Sequence, residues 1–111
     1  EEAVDIVGGL WRKDSGSHAE LRKIVGAFFA ADRPVAQICH GPLITAATGS
    51  LSGRNVTAYP ALEPDMQGAG ATFQDTEAVV DGTVVSSRAW PDHPAWMREF
   101  LKVLRSSPSD A

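Results

Sequence analysis

The chain has 111 residues, enough for one domain and too few for two. Its formal net charge of −4, with 10 Lys and Arg against 14 Asp and Glu and no dense basic run, excludes the basic stripe that a nucleic-acid backbone requires. No apolar stretch approaches the ~18 residues of a membrane span, and a single cysteine can form no internal disulfide, which fits a reducing, cytoplasmic setting.

In chain order, residues 3–7 (AVDIV) read as a short buried strand stopped by Gly8-Gly9, and residues 10–18 (LWRKDSGSH) as a polar loop. Leu21, Ile24, Val25, Phe28 and Phe29 then fall at helical spacing on one face. Ser17, with Glu20 three residues on, is the expected N-cap of that helix. The helix is expected to end near Ala31-Asp32, because Pro34 disfavours helix at the residue before it. Residues 35–38 (VAQI) form the next strand. Gly41-Pro42 opens a second helix, since proline is tolerated in a first turn, and Gly49 stops it.

Residues 55–59 (NVTAY) predict a third strand, and residues 61–70 a short helix that starts near Pro64 and frays at Gly68 and Gly70. Asp81-Gly82 between two Val pairs predicts a hairpin with those two residues as its loop. Asp92 is the expected cap of a last helix whose Trp96, Met97, Phe100, Leu101 and Leu104 share one face. Residues 1–105 thus form a single domain, and residues 106–111 a frayed polar tail. Strands alternating with amphipathic helices predict an α/β fold, a mostly parallel sheet covered on both faces. In such sheets, sites lie at the carboxyl ends of the strands.

Cys39 stands at such an end. A strand, a cysteine, a histidine and then Gly-Pro opening a helix describe a nucleophile elbow, a tight turn that lifts one side chain clear of the sheet. The helix start is expected to point free amides and its positive end at the sulfur, favouring thiolate over thiol. A helix dipole supplies about 0.3–1 kcal/mol, less than a majority thiolate needs. His40 or an extra amide contact has to provide the rest.

The segment PVAQICHGP, together with GRNVTAYPAL, VVDGTVVSSR and DHPAWMREFL, resembles the PfpI (ThiJ/PfpI, protease I-like) family across residues 4–104. The family groups intracellular proteins related to class I glutamine amidotransferases. The resemblance implies a flavodoxin-like three-layer sandwich. It also implies that Cys39 is the nucleophile and His40 its partner. The amides of Gly8 and Gly9, with that of His40, would form the oxyanion hole. Peptidase, glyoxalase-like and deglycase-like activities are credited to the family, and all begin with thiolate attack on a carbonyl carbon.

Two positions depart from the family's pattern. Val7 stands where relatives usually have a proline before Gly-Gly. The triad carboxylate that some members donate from a neighbouring subunit falls at Lys13, with Asp14 next, so Asp14 is the candidate acid with a one-residue shift. Family chains also begin with a further strand–helix part carrying a Glu that hydrogen-bonds the cysteine. This chain reads as lacking it.

The bland readings stand beside these. Taken alone, Cys39 is a buried inert thiol, Gly8-Gly9 a plain turn and Asp14 a solvated loop carboxylate. His40 adjoins Cys39, and adjacent residues on a helix do not face each other, so its role depends on the backbone. His18 and His93 read as surface residues. No metal-ligand spacing is present, and no cofactor is expected. Trp11, Trp90 and Trp96 suit either core or interface; for Trp11 and Trp90, in predicted loops, the more interesting option is a contact in the expected homo-oligomer, at least a dimer. The expected function is a cytoplasmic cysteine hydrolase, peptidase or glyoxalase/deglycase in type, acting on a small carbonyl compound or a peptide. Its rivals are a non-catalytic oxidation-sensing or chaperone-like stress protein using the same thiol, and an inert fragment with the elbow but no pocket.

Overall fold

The computed structural model describes residues 4–7 and 15–106. Their elements are β1 (Val4–Val7), α1 (Ser15–Ala30), β2 (Val35–Ile38), α2 (Pro42–Ala47), β3 (Asn55–Val56), α3 (Glu63–Gly68), β4 (Thr72–Phe73), β5 (Val79–Asp81), β6 (Val84–Ser87) and α4 (His93–Ser106). Short 3-10 turns at Pro60–Leu62 and Trp90–Asp92 lead into α3 and α4.

Among the described residues, β1, β2 and β6 run parallel in the order β1-β2-β6-β5, with β5 antiparallel at one edge and β1 at the other. β2 is buried along its whole length, as a strand covered on both faces must be. Its side chains alternate between two layers. Ala36 and Ile38, with Val85 of β6, pack on Trp96, Phe100 and Val103 of α4. Val35, with Val84, packs on Val25 of α1 and Ile44 of α2 on the opposite face. The three-layer α/β sandwich expected from the sequence is therefore present. A third cluster of Leu51, Val56, Ala58, Leu62, Met66 and Ala71 fastens α3 and the small parallel pair β3–β4 to one end.

Several local expectations are corrected. α1 begins two residues before Ser17, which lies inside the helix rather than at its cap. The far end falls as expected, with Asp32 in the left-handed region at φ 55. Ile24 is 49% exposed, as are Met97 at 41% and Leu101 at 45%. A helix lying on a sheet buries a stripe only roughly 100° wide, and Met97 and Leu101 are rotated roughly 100–140° from Trp96. The buried stripe of α4 is instead Trp96, Phe100 and Val103, with Leu104 half-buried.

The hairpin turns one residue later than expected. Asp81 pairs with Val84, so Gly82-Thr83 is the loop, with Gly82 at φ 62 as a two-residue loop requires of its first residue. Asp81 stays in the strand because its carboxylate accepts the Asn55 N–H at 2.7 Å. The third strand stops after Val56, since Thr57 N–H goes to the Ser86 hydroxyl at 3.0 Å and Tyr59 N–H to Cys39 O at 2.9 Å instead of a ladder. Asp92 does stand just before α4. Its carboxylate, however, turns back to accept the backbone N–H and side chain of Arg88. α4 runs through Ser106, one residue into the expected tail, and residues 107–111 lie outside the described set.

Candidate active site

β2 ends at Ile38, level with Val7 of β1 and Ser87 of β6. The chain leaves the sheet there through Cys39, whose φ of 62 is left-handed. For a residue other than glycine that conformation costs roughly 1–2 kcal/mol and persists only where the surroundings over-determine it. They do so here. Cys39 N–H donates to Ser87 O at 3.2 Å, Cys39 O accepts the Tyr59 N–H at 2.9 Å, and Gly41 N–H closes back onto Ile38 O at 2.9 Å. Pro42 then fixes the first helical position of α2.

This bend brings two sequence neighbours together. Cys39 Sγ lies 3.2 Å from His40 Nδ1, a contact that a helix would forbid and the elbow allows. Cys39 is half-buried and packs against the cluster that holds Ala36, Ile38, Val85 and Trp96. The other side of the imidazole is covered by Tyr59, whose ring stacks on it at 4.8 Å and 24°. Tyr59, 41% exposed, was not marked in the sequence. Nothing local in its neighbourhood reveals that it returns to the elbow. The stack uses the ring face, worth about 0.5–1.5 kcal/mol. Tyr59→Phe should therefore keep turnover within about twofold, while Tyr59→Ala should lower it about five- to tenfold. Steady-state kinetics check this, and equal losses in both variants would contradict it.

The expected fan of free helix amides is corrected. Pro42 has no N–H, and the amides of Gly41, Leu43 and Ile44 are engaged with Ile38 O, His40 O and Gly41 O. Only the His40 N–H at the elbow makes no hydrogen bond among the described residues. α2 is six residues long, so its dipole is small. The contact made to the sulfur at the elbow is therefore that of the His40 ring. Gly8, Gly9 and Asp14, the other predicted site residues, lie outside the described residues.

Arg88 follows Ser87 at the same edge, but its guanidinium is committed to Asp92 at 2.8 Å and Asp75 at 3.0 Å. The hydrogen bonds from Arg88 hold the Asp92 carboxyl below its ordinary range, and those to Asp92 and Asp75 push the Arg88 guanidinium up. Among the described residues no three His, Cys, Asp or Glu side chains gather as they would around a metal ion.

Beneath the elbow, on the α2 face, lies a fully buried polar layer of Gln37, Thr45, Thr57 and Ser86. Gln37 and Ser86 are register partners. Thr45 Oγ1 sits 2.8 Å from Gln37 Oε1 and 3.0 Å from Pro42 O, and Ser86 Oγ accepts the Thr57 N–H at 3.0 Å. One hydroxyl proton serves only one acceptor. With the amide turned over, Gln37 donates to Thr45, which donates to Pro42 O. In either orientation one amide atom of Gln37 has no partner among the described residues, and neither has Thr57 Oγ1. Each such atom costs on the order of 1–3 kcal/mol. A glutamine inside the apolar run VAQI was the readable signal of this layer.

A strained cysteine between a central parallel strand and a short helix, in a sheet covered on both faces, defines a flavodoxin-like fold with its cysteine at a strand–helix turn. The chain belongs to the DJ-1/PfpI family, whose profile matches residues 2–103. It is 50% identical over 104 residues to the deglycase PH1704 of Pyrococcus horikoshii, covering 94% of this chain and 63% of that protein. It is 39% identical over 79 residues to the putative cysteine protease YraA of Bacillus subtilis, covering 71% of this chain and 47% of that protein. The fold matches a two-domain protein of Anabaena variabilis, with DJ-1/ThiJ/PfpI-like and ferritin-like domains, at a TM-score of 0.81 and 29% identity, covering 99% of this chain and 33% of that one. The chain thus spans 63% of the length of the deglycase it resembles.

Proposed function

We propose that the protein is a cysteine hydrolase of the deglycase or peptidase type, acting in a reducing, cytoplasmic setting on a small carbonyl compound or a peptide. The observation that carries this reading is Cys39 at φ 62, a strained non-glycine residue held from three sides with its sulfur 3.2 Å from His40 Nδ1. Strain of this kind points to function, because nothing in folding alone rewards it. Supporting it are relatives whose names are deglycase and putative cysteine protease.

In the proposed reaction, Cys39 Sγ attacks the substrate carbonyl carbon as a thiolate, its proton having passed to the His40 ring. The new C–S bond forms as the C=O π pair moves onto oxygen, where the His40 N–H is one donor to the oxyanion. The amides of Gly8 and Gly9 complete that hole in this reading. From a peptide, collapse of the tetrahedral intermediate expels the amine with the proton from His40, and water then cleaves the acyl thioester. A ketoaldehyde has no leaving group, so its thiohemiacetal passes the C–H proton by way of His40 to the neighbouring carbonyl carbon. This gives, without net oxidation, a 2-hydroxyacyl thioester that water cleaves. Asp14, from a neighbouring subunit, is the proposed orienter of His40. That role requires a homo-oligomer, for which Trp90, 77% exposed, offers a contact. Light scattering on the purified protein checks the assembly, and a monomer mass would contradict it.

The direct test is incubation with a methylglyoxal-treated peptide and with the untreated peptide, followed by mass spectrometry. Loss of the adduct, or cleavage, is expected. A protein that does neither, yet converts readily to Cys39 sulfinic acid in mild peroxide, would be an oxidation sensor instead.

A further inference from the structure

We infer that Gln37, Thr45, Ser86 and Thr57 act together as positioning residues that set the geometry of the elbow at Cys39. This role rests on the catalytic reading proposed above. Each member lies next to a contact that holds the cysteine. Gln37 precedes Cys39 by two residues on β2, and Thr45 sits on α2, the helix that the elbow opens. Ser86 precedes Ser87, whose carbonyl takes the Cys39 N–H. Thr57 precedes by two residues Tyr59, whose N–H holds Cys39 O. Two polar ties therefore run side by side under the turn. Gln37–Thr45 joins β2 to α2, and Thr57 N–H to Ser86 joins the segment after β3 to β6.

The opposite face of the same strands shows the alternative. There Ala36, Ile38 and Val85 pack on the mainly apolar side chains of α4, where Trp96 Nε1 is buried without a partner among the described residues. The polar layer, with unpaired atoms on Gln37 and Thr57, is the less stable way to fill such a space. What it adds is direction. Hydrogen bonds in a buried network fix the mutual orientation of four segments, whereas apolar contact tolerates sliding. A left-handed Cys39 needs that, because its conformation survives only while its surroundings dictate it.

The experiment measures iodoacetamide modification of Cys39 across pH 5–9 in the intact protein, with a thermal melt and the urea-unfolded protein as reference. The double variant Gln37→Leu/Thr45→Val removes both partners of one tie at similar volume. Its melting temperature should be unchanged or higher, while the rate at pH 7 falls about fivefold, the worth of one net hydrogen bond, and its pH dependence moves toward that of the unfolded protein. Thr45→Ser, which keeps the hydroxyl, should retain the wild-type rate where Thr45→Val does not. That pair decides the matter by itself should the double variant fail to fold. A double variant with the wild-type rate and pH profile, or a Thr45→Ser as slow as Thr45→Val, would overturn the positioning role alone. A wild-type protein no faster than its unfolded form would overturn the catalytic reading and this role with it.

Discussion

Replacing Cys39 with alanine should reduce turnover by on the order of 10⁴-fold or more, since loss of a covalent nucleophile removes the whole sequence of steps that depends on it. A second substitution separates chemistry from strain. Cys39→Gly also lacks the sulfur, but glycine adopts a φ of 62 without the clash that alanine retains. Both variants should be inactive, and the glycine variant should be the more stable of the two by about 1 kcal/mol. Urea unfolding of the two proteins measures this difference. An alanine variant as stable as the glycine variant would mean that the elbow stores no strain, and the main argument for a functional cysteine would be lost.

The largest stability loss is expected at Asp92, which is only 7% exposed. Its Oδ2 accepts the Arg88 backbone N–H at 3.1 Å and Nε at 2.8 Å, and its Oδ1 accepts the far guanidinium nitrogen at 3.1 Å. Asp92→Ala strips an acceptor from three donors at the junction of β6 and α4. The expected loss is about 2–3 kcal/mol, because hydrogen bonds to charged groups are worth more than neutral ones and the guanidinium stays partly solvated. The pH dependence follows from the sign of the shift. The Arg88 hydrogen bonds hold the folded carboxyl below its ordinary range. The unfolded chain therefore binds the proton first as pH falls. The contribution is complete above the unfolded value of about 3.9 and disappears as pH falls through the folded one. Unfolding of wild-type and variant proteins at pH 7 and at pH 3 should show a gap that narrows in acid. A gap that is constant or widens would contradict this account.

Much of this architecture was legible because its signals are local. The apolar run VAQI, the Gly41-Pro42 turn and the helical spacing of Val25, Phe28 and Phe29 each fix an element from a few neighbouring residues. The elbow was readable for the same reason, since strand, turn and helix start all lie within ten residues. What was missed depends on partners distant in sequence. Asp81 belongs to the strand rather than the loop because Asn55 is there to donate to it. Asp92 is the exception, since its partner Arg88 lies only four residues back and spacing alone does not tell that pairing from a cap of α4. The strand at Asn55 ends early because Ser86 and Cys39 take its amides. Tyr59 reaches His40 only through the fold. The helix faces were read one residue too broadly at Ile24, Met97 and Leu101, because spacing gives the direction of a stripe but not its edge.

The central claim is that the elbow presents a sulfur activated by its surroundings. The rate of modification of Cys39 by iodoacetamide at pH 6.5, in the native protein and in urea, tests it without knowledge of the substrate, and the chain's one cysteine makes the label unambiguous. A native rate at least about tenfold above the unfolded one is predicted, because the thiolate is the reacting species and, in the proposed reading, the His40 ring 3.2 Å from the sulfur takes its proton. A native rate equal to or below the unfolded one would contradict the account.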